Sequence, residues 1–167
     1  RDDGGTAGGG VDAVTNTFTV TVQGITNTWQ MNGTFAIEIG DATGAPGTDW
    51  THTNYTGVLE ILATPDNPFT LNIASLTGSE PGAATNFDNH ITNIWTIATT
   101  TRGVTGFDTN KFAFDSSSFS NELAGGRFTV ALSDDGKSVN LVFLPNLAPA
   151  AGNSLETTDE DTALPLT

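Results

Sequence analysis

Acidic side chains are the residues best suited to chemistry in this sequence, and they gather toward its two ends. Seven of the nineteen acidic residues fall within residues 1–12 and 156–161. Carboxylate oxygens on a flexible, glycine-rich backbone suit Ca²⁺, although neither an EF-hand loop nor the GGxGxDxUx nonapeptide occurs. A solvated acidic linker is the alternative interpretation. The predicted calcium ligands are Asp2, Asp3, Asp159 and Asp161.

Two further carboxylates, Glu38 and Glu60, lie inside the apolar segments FAIEIG and VLEILA. Paired carboxylates are the requirement for glycoside hydrolysis. Each glutamate, however, takes a polar position of its alternating pattern, which favours a solvated side chain. The histidines, His52 and His90, lie in Thr- and Asn-rich segments without HxxxH or HExxH spacing, and no GxSxG elbow is present. The sequence therefore predicts no enzyme.

Aromatic residues offer a different function, because tryptophan rings on a surface stack against sugars. Trp95 lies in an apolar strand and is predicted to be in the core. Trp50 lies in the loop segment DATGAPGTDWTHTN and is predicted to be an exposed, ligand-binding ring.

Charge and composition exclude several classes of partner. The 167 residues include 19 acidic and 5 basic side chains, which gives a net charge of -14. Binding to nucleic acid or anionic lipid needs Lys and Arg, so neither partner is expected. No apolar run is long enough to insert into a membrane, and without cysteine no disulfide forms.

The elements that must position these side chains are strands, because apolar residues repeatedly alternate with Thr and other polar residues. Seven or eight strands are predicted, with a helical turn only within residues 107–126. Two hairpins are predicted, one across TPDN (64–67) and one across DDG (134–136). The fold prediction is all-β, a β-sandwich of jelly-roll or Ig-like type. The alternative is a β-solenoid-like fold, placed second because no fixed short repeat is visible.

The domain prediction divides the chain into three parts. Residues 1–15 form a Gly/Asp-rich loop at the end of a preceding repeat, and residues 16–145 form the β-sandwich module. Residues 146–167 form a linker and the first strand of a following repeat.

Both ends also carry a family likeness. The segment RDDGGTAGGGVDAVTNTFTVTVQ resembles the last two strands of bacterial cadherin-like, Ig-like tandem repeats, and TTDEDTALPLT resembles the opening strand of the next repeat. Most of residues 33–144 is similar to a β-module of large secreted planctomycete and verrucomicrobial proteins, which carry autotransporter-type repeats or PEP-CTERM sorting tails. ATTTRGVTGFDTNKF is the most specific part of that likeness. The resemblance implies an architectural role at the bacterial cell surface and brings no catalytic residues.

These observations predict a structural module of an extracellular, multi-repeat surface protein or fibre. Its expected partners are neighbouring copies or repeats of the same protein, joined head-to-tail through terminal strands. The alternative function is a carbohydrate-binding or adhesin domain, whose partners are glycans.

Overall fold

The computed structural model describes residues 24–147, which contain eleven strands, one short 3₁₀ turn and no α-helix. No helix in this range is long and apolar enough to cross a membrane. The elements are β1 (Thr26–Trp29), β2 (Thr34–Ile39), β3 (Thr53–Tyr55), β4 (Val58–Ile61), β5 (Phe69–Thr77), β6 (Glu80–Pro81), β7 (Asn93–Thr100), β8 (Gly103–Thr105), the 3₁₀ turn (Thr109–Lys111), β9 (Phe112–Ser118), β10 (Arg127–Leu132) and β11 (Ser138–Leu144).

Parallel pairing organises most of these strands into three ladders. β1, β4 and β8 form the first sheet, and β2, β5 and β9 form the second. In the third sheet β3 runs parallel to β7. The chain therefore visits the three sheets in turn and then starts again one strand further along each ladder. Parallel neighbours cannot be joined by a tight hairpin, so this winding supplies the crossover connections that they need.

A C-terminal hairpin completes the third sheet. β10 and β11 pair antiparallel from Arg127 opposite Leu144 to Leu132 opposite Val139, across the predicted DDG turn. β11 also pairs antiparallel with β7, with a bulge after Val139. The predicted hairpin at residues 134–136 is confirmed.

The sheets enclose one apolar core, which is built from the inward-facing positions of the alternating patterns. Trp95, Leu59 and Leu71 are completely buried, one from each sheet. Trp29 and Phe69 stack with ring centroids 4.8 Å apart and nearly parallel planes. Burying each large apolar side chain stabilises the fold by about 1.5–3 kcal/mol, so the core is the main source of stability.

The all-β prediction is confirmed, and sheets packed on a shared core are consistent with a β-sandwich. The order of pairing, however, is that of the solenoid-like alternative, because the ladders are parallel and stack successive windings of the chain. The predicted hairpin across TPDN is wrong. Thr64 and Asn67 do form a turn, but β4 and β5 on either side of it belong to different sheets. The predicted helical turn within residues 107–126 is present as the 3₁₀ turn.

Candidate functional site

A cleft of about 510 Å³ lies beside the loop that joins β2 to β3. Three carboxylates line its walls, and neither Lys nor Arg does. The side chains that define its character are Glu38, Asp41, Asp49, Trp50, His52 and Leu76.

Hydrogen bonds within the loop hold the cleft wall in shape. Gly40 N donates to Asp49 O at 2.7 Å, and Ala45 N donates to the Asp49 Oδ2 carboxylate oxygen at 2.7 Å. At the base of the loop, Thr51 N donates to Glu38 O and Glu38 N donates to Thr51 Oγ1, both at 3.0 Å. Because these bonds cross the loop repeatedly, the cleft is preformed.

Asp41 ties this loop to the segment before β7. Its Oδ1 accepts a hydrogen bond from Thr43 N at 2.9 Å, and Asn86 Nδ2 donates to both carboxylate oxygens at 3.1 Å. Ala42 N donates to Thr85 O alongside. The Thr43 N–H, followed by the Asn86 amide, lowers the pKa of Asp41 below its ordinary value because these donors favour the ionised form. Asp41 therefore contributes a lasting negative charge to the cleft.

Two polar groups in the cleft differ in their access to a ligand. Glu38 projects from β2 as an exposed residue between the buried Ile37 and Ile39. The Nε2 atom of His52 is buried and has no hydrogen-bond partner within residues 24–147. A ligand that offers hydroxyl or amine groups can donate to the exposed Glu38 carboxylate, whereas the buried His52 Nε2 is out of its reach.

A second depression of about 110 Å³ shares Glu38 with the cleft. It is lined by Ala36 and Ala74 on the outer face of the second sheet and by Asn72 and Asp115. The two depressions place small and polar side chains across the outer face of three neighbouring strands, β2, β5 and β9.

The predicted exposed ring at Trp50 is wrong. Trp50 is only 9% exposed, and its indole Nε1 donates to Thr96 O at 3.0 Å. Although Trp50 lines the cleft, its ring belongs to the core and presents no stacking platform. The core prediction for Trp95 is confirmed, because this ring is fully buried and its Nε1 donates to Ala42 O at 3.1 Å.

The two strand glutamates do not meet. Glu38 lies on β2 in the second sheet and Glu60 on β4 in the first, and only Glu38 lines the cleft. The two histidines also lie in different places. His90 is exposed and lies 3.2 Å from the Asp88 carboxylate, whereas His52 faces the cleft. The polar placement predicted for both glutamates agrees with their outward positions.

Asp41 and Asp49 are cleft residues that sequence reasoning did not single out. Asp41 is followed by Thr43 and Gly44, and Asp49 follows Gly47, an arrangement of turn-forming residues. Asp side chains in such segments often accept local backbone N–H groups. That signal marks a structured loop, but it does not show which sheet edge the loop borders.

Within residues 24–147 no three His, Asp or Glu side chains are arranged to hold a metal ion. The predicted calcium ligands Asp2, Asp3, Asp159 and Asp161 lie outside the described range. No protein-family model, curated protein or solved structure matches the chain.

Proposed function

We propose that the chain is a structural module of an extracellular, multi-repeat surface protein or fibre, which associates end to end with neighbouring repeats or copies. The observation that supports this function is the stacking of windings in three parallel ladders. Within the described range, the edge strands β1, β2 and β3 each pair on one side only. An unpaired strand edge is a template for a further strand.

At both edges of the second sheet, apolar side chains that pack on the core remain partly exposed to solvent. In one row of this sheet, Phe35 on β2 pairs with Leu71 on β5, and Leu71 pairs with Phe114 on β9. Leu71 in the middle is fully buried, whereas the outer Phe35 and Phe114 are only partly buried. A further winding placed on either end would cover these rings and remove apolar surface from water.

The outer face allows β2 of one copy to follow β9 of another without repulsion. Continuing the observed register would place Ala36 of one copy beside Asp115 of the next, and Glu38 beside Ser118. No like charges meet in either row. Because donor and acceptor edges differ, such a contact does not close on itself and propagates into a filament.

A charge reversal at Ala36 tests this arrangement. Ala36→Asp places a carboxylate beside Asp115 of the next copy and should weaken assembly, whereas Ala36→Lys should strengthen it. Thr70→Asp and Thr70→Lys are matched controls, because Thr70 lies on the same outer face but on the central strand β5. Sedimentation velocity and electron microscopy measure the assembly. If the Ala36 pair and the Thr70 pair shift assembly equally, net charge rather than this contact is responsible, and the proposal fails.

The predicted donation of the terminal strand TALPLT to a neighbour involves residues outside the described range. Deleting residues 155–167 tests it separately. Loss of assembly supports the donated strand, and unchanged assembly contradicts it while leaving the edge contact of β2 and β9 to the test above.

A second candidate function is carbohydrate binding, as in an adhesin, and the preformed cleft favours it. The exposed carboxylate of Glu38 accepts hydrogen bonds of the kind that sugar hydroxyls donate. Glycan-array binding should fall with Glu38→Gln and remain with Glu60→Gln, which makes the same change on another sheet. Since the two glutamates are not paired, we expect no hydrolysis. Sugar release that disappears with Glu38→Gln would contradict this expectation.

A further inference from the structure

The third sheet ends at β3, a short strand that pairs with β7 and with no other strand among the described residues. Thr53 lies opposite Ala98, Asn54 opposite Thr99 and Tyr55 opposite Thr100. Within residues 24–147 the other edge of β3 therefore has no strand beside it, and three features bear on which segment lies there.

The first indication is the corner that connects the third sheet to the first. Two residues, Thr56 and Gly57, separate β3 from β4, and two residues, Thr101 and Arg102, separate β7 from β8. The corresponding corner before β1 would be Gly24–Ile25, so a strand that precedes it in the third sheet would end at residue 23.

The second indication is that these corners stack on one another. Arg102 N donates to Gly57 O at 3.0 Å, which joins the second corner to the third. Val58 N donates to Ile25 O at 2.9 Å, which joins the segment before β1 to the start of β4. Ile25 therefore already lies where the chain turns from the third sheet into the first.

The third indication is a sequence repeat that becomes visible once the pairing of β3 with β7 is known. The register of β3 and β7 pairs Thr53–Tyr55 with Ala98–Thr100, and continuing it toward the N-terminus aligns WTHTNY (50–55) with WTIATT (95–100), so that Trp50 corresponds to Trp95. Both rings are buried, and both indoles donate to a backbone carbonyl oxygen. The segment FTVTVQ (18–23), which ends two residues before β1 begins, has the same aromatic–Thr start.

We propose that residues 18–23 form a strand parallel to β3, with Thr21 opposite Thr53 and Gln23 opposite Tyr55. Phe18 then takes the core position that Trp50 and Trp95 occupy in the next two windings. The occupant comes from the same chain because Gln23 is joined directly to the corner at Gly24–Ile25. The edge that the module offers to a preceding repeat is then this strand together with β1 and β2, not β3. This pairing holds whether or not the module assembles into fibres.

The absence of cysteine permits a direct test by cross-linking. In the proposed register Val22 lies opposite Asn54, so the double variant Val22→Cys, Asn54→Cys should form an intramolecular disulfide on mild oxidation of the dilute protein. Val22→Cys with Thr70→Cys is the control, because Thr70 lies on the outer face of the second sheet. Intact mass and peptide mapping identify the bond. No bond in the first pair, or equal yields in both pairs, would overturn the proposal, as would a bond that forms only between two copies.

A stability measurement tests the core position independently. Phe18→Ala should lower the melting temperature, as expected for the loss of a buried ring, whereas Thr17→Ala should leave it nearly unchanged. A melting temperature that is the same for wild type and Phe18→Ala would show that residues 18–23 do not pack on this module.

Discussion

At the scale of single residues, many of the acidic side chains have structural roles in turns. Asp88 Oδ1 accepts a hydrogen bond from His90 N, and Asp115 Oδ1 accepts one from Ser117 N. Asp135 Oδ1 accepts from the Ser133 hydroxyl at 2.6 Å. These donors lower the pKa of each carboxyl group, as Thr43 and Asn86 do for Asp41. The strong negative charge therefore serves the fold as well as the surface.

These lowered pKa values predict a loss of stability in acid. A carboxyl group whose pKa is lower in the folded state stabilises the protein fully above its unfolded pKa of about 3.8 and loses that contribution as the pH falls through the folded value. Asp41→Asn should therefore lower the urea midpoint at a pH of about 6 and differ less from wild type at a pH of about 2.5. Asp134→Asn, at an exposed residue in the β10–β11 turn, is the control. A constant gap across this pH range would contradict the assignment.

Trp50 gives a second prediction at this scale. Trp50→Ala should reduce the free energy of unfolding by about 3–5 kcal/mol, as for other buried aromatic rings. Trp50→Phe should cost less because it retains most of the apolar surface and loses mainly the hydrogen bond to Thr96 O. Urea unfolding followed by circular dichroism measures both. Unchanged stability in Trp50→Ala would restore the surface interpretation.

At the scale of elements, the sequence identified the strands that are long enough to carry a recognisable pattern of apolar residues. β2, β5, β7, β10 and β11 were predictable because each spans six or more residues rich in apolar and β-branched side chains. β1 and β8 are too short for such a pattern, and β9 has the sequence FAFDSSS, in which the alternation fades. The cleft was not predictable, because it depends on which strands flank the loop after β2.

Corner geometry gives the prediction at this scale. Gly57 has a φ of +93°, and a Cβ there would clash with the backbone oxygen of Ile25. Gly57→Ala should therefore destabilise the protein by more than the roughly 1–2 kcal/mol that a left-handed conformation alone costs. Gly47→Ala is the matched control, since Gly47 has a φ of +78° and open space around its Cβ position. Equal effects in thermal unfolding would mean that the corners are not closely stacked.

At the scale of the whole molecule, the winding itself was beyond sequence reasoning. Thr26 pairs with Val58 and Thr53 with Ala98, so partners lie tens of residues apart and at unequal spacing. Alternation shows which side of a strand faces the core, but it does not show which strand lies beside it. The repeat WTHTNY and WTIATT is recognisable only after the register is known.

Net charge sets the conditions under which such modules can associate. Copies that each carry -14 repel one another, and salt weakens this repulsion, since the Debye length falls from about 30 Å at about 0.01 M to about 8 Å at about 0.15 M. Sedimentation velocity should therefore show larger species in NaCl at the higher of these concentrations.

If Asp2, Asp3, Asp159 and Asp161 bind calcium, CaCl₂ should promote assembly beyond MgCl₂ at equal ionic strength, and changing all four to Asn should remove that excess. Equal effects of CaCl₂ and MgCl₂ would mean that the salts act only by screening the repulsion between copies. Assembly that does not depend on salt concentration would contradict association between these acidic surfaces.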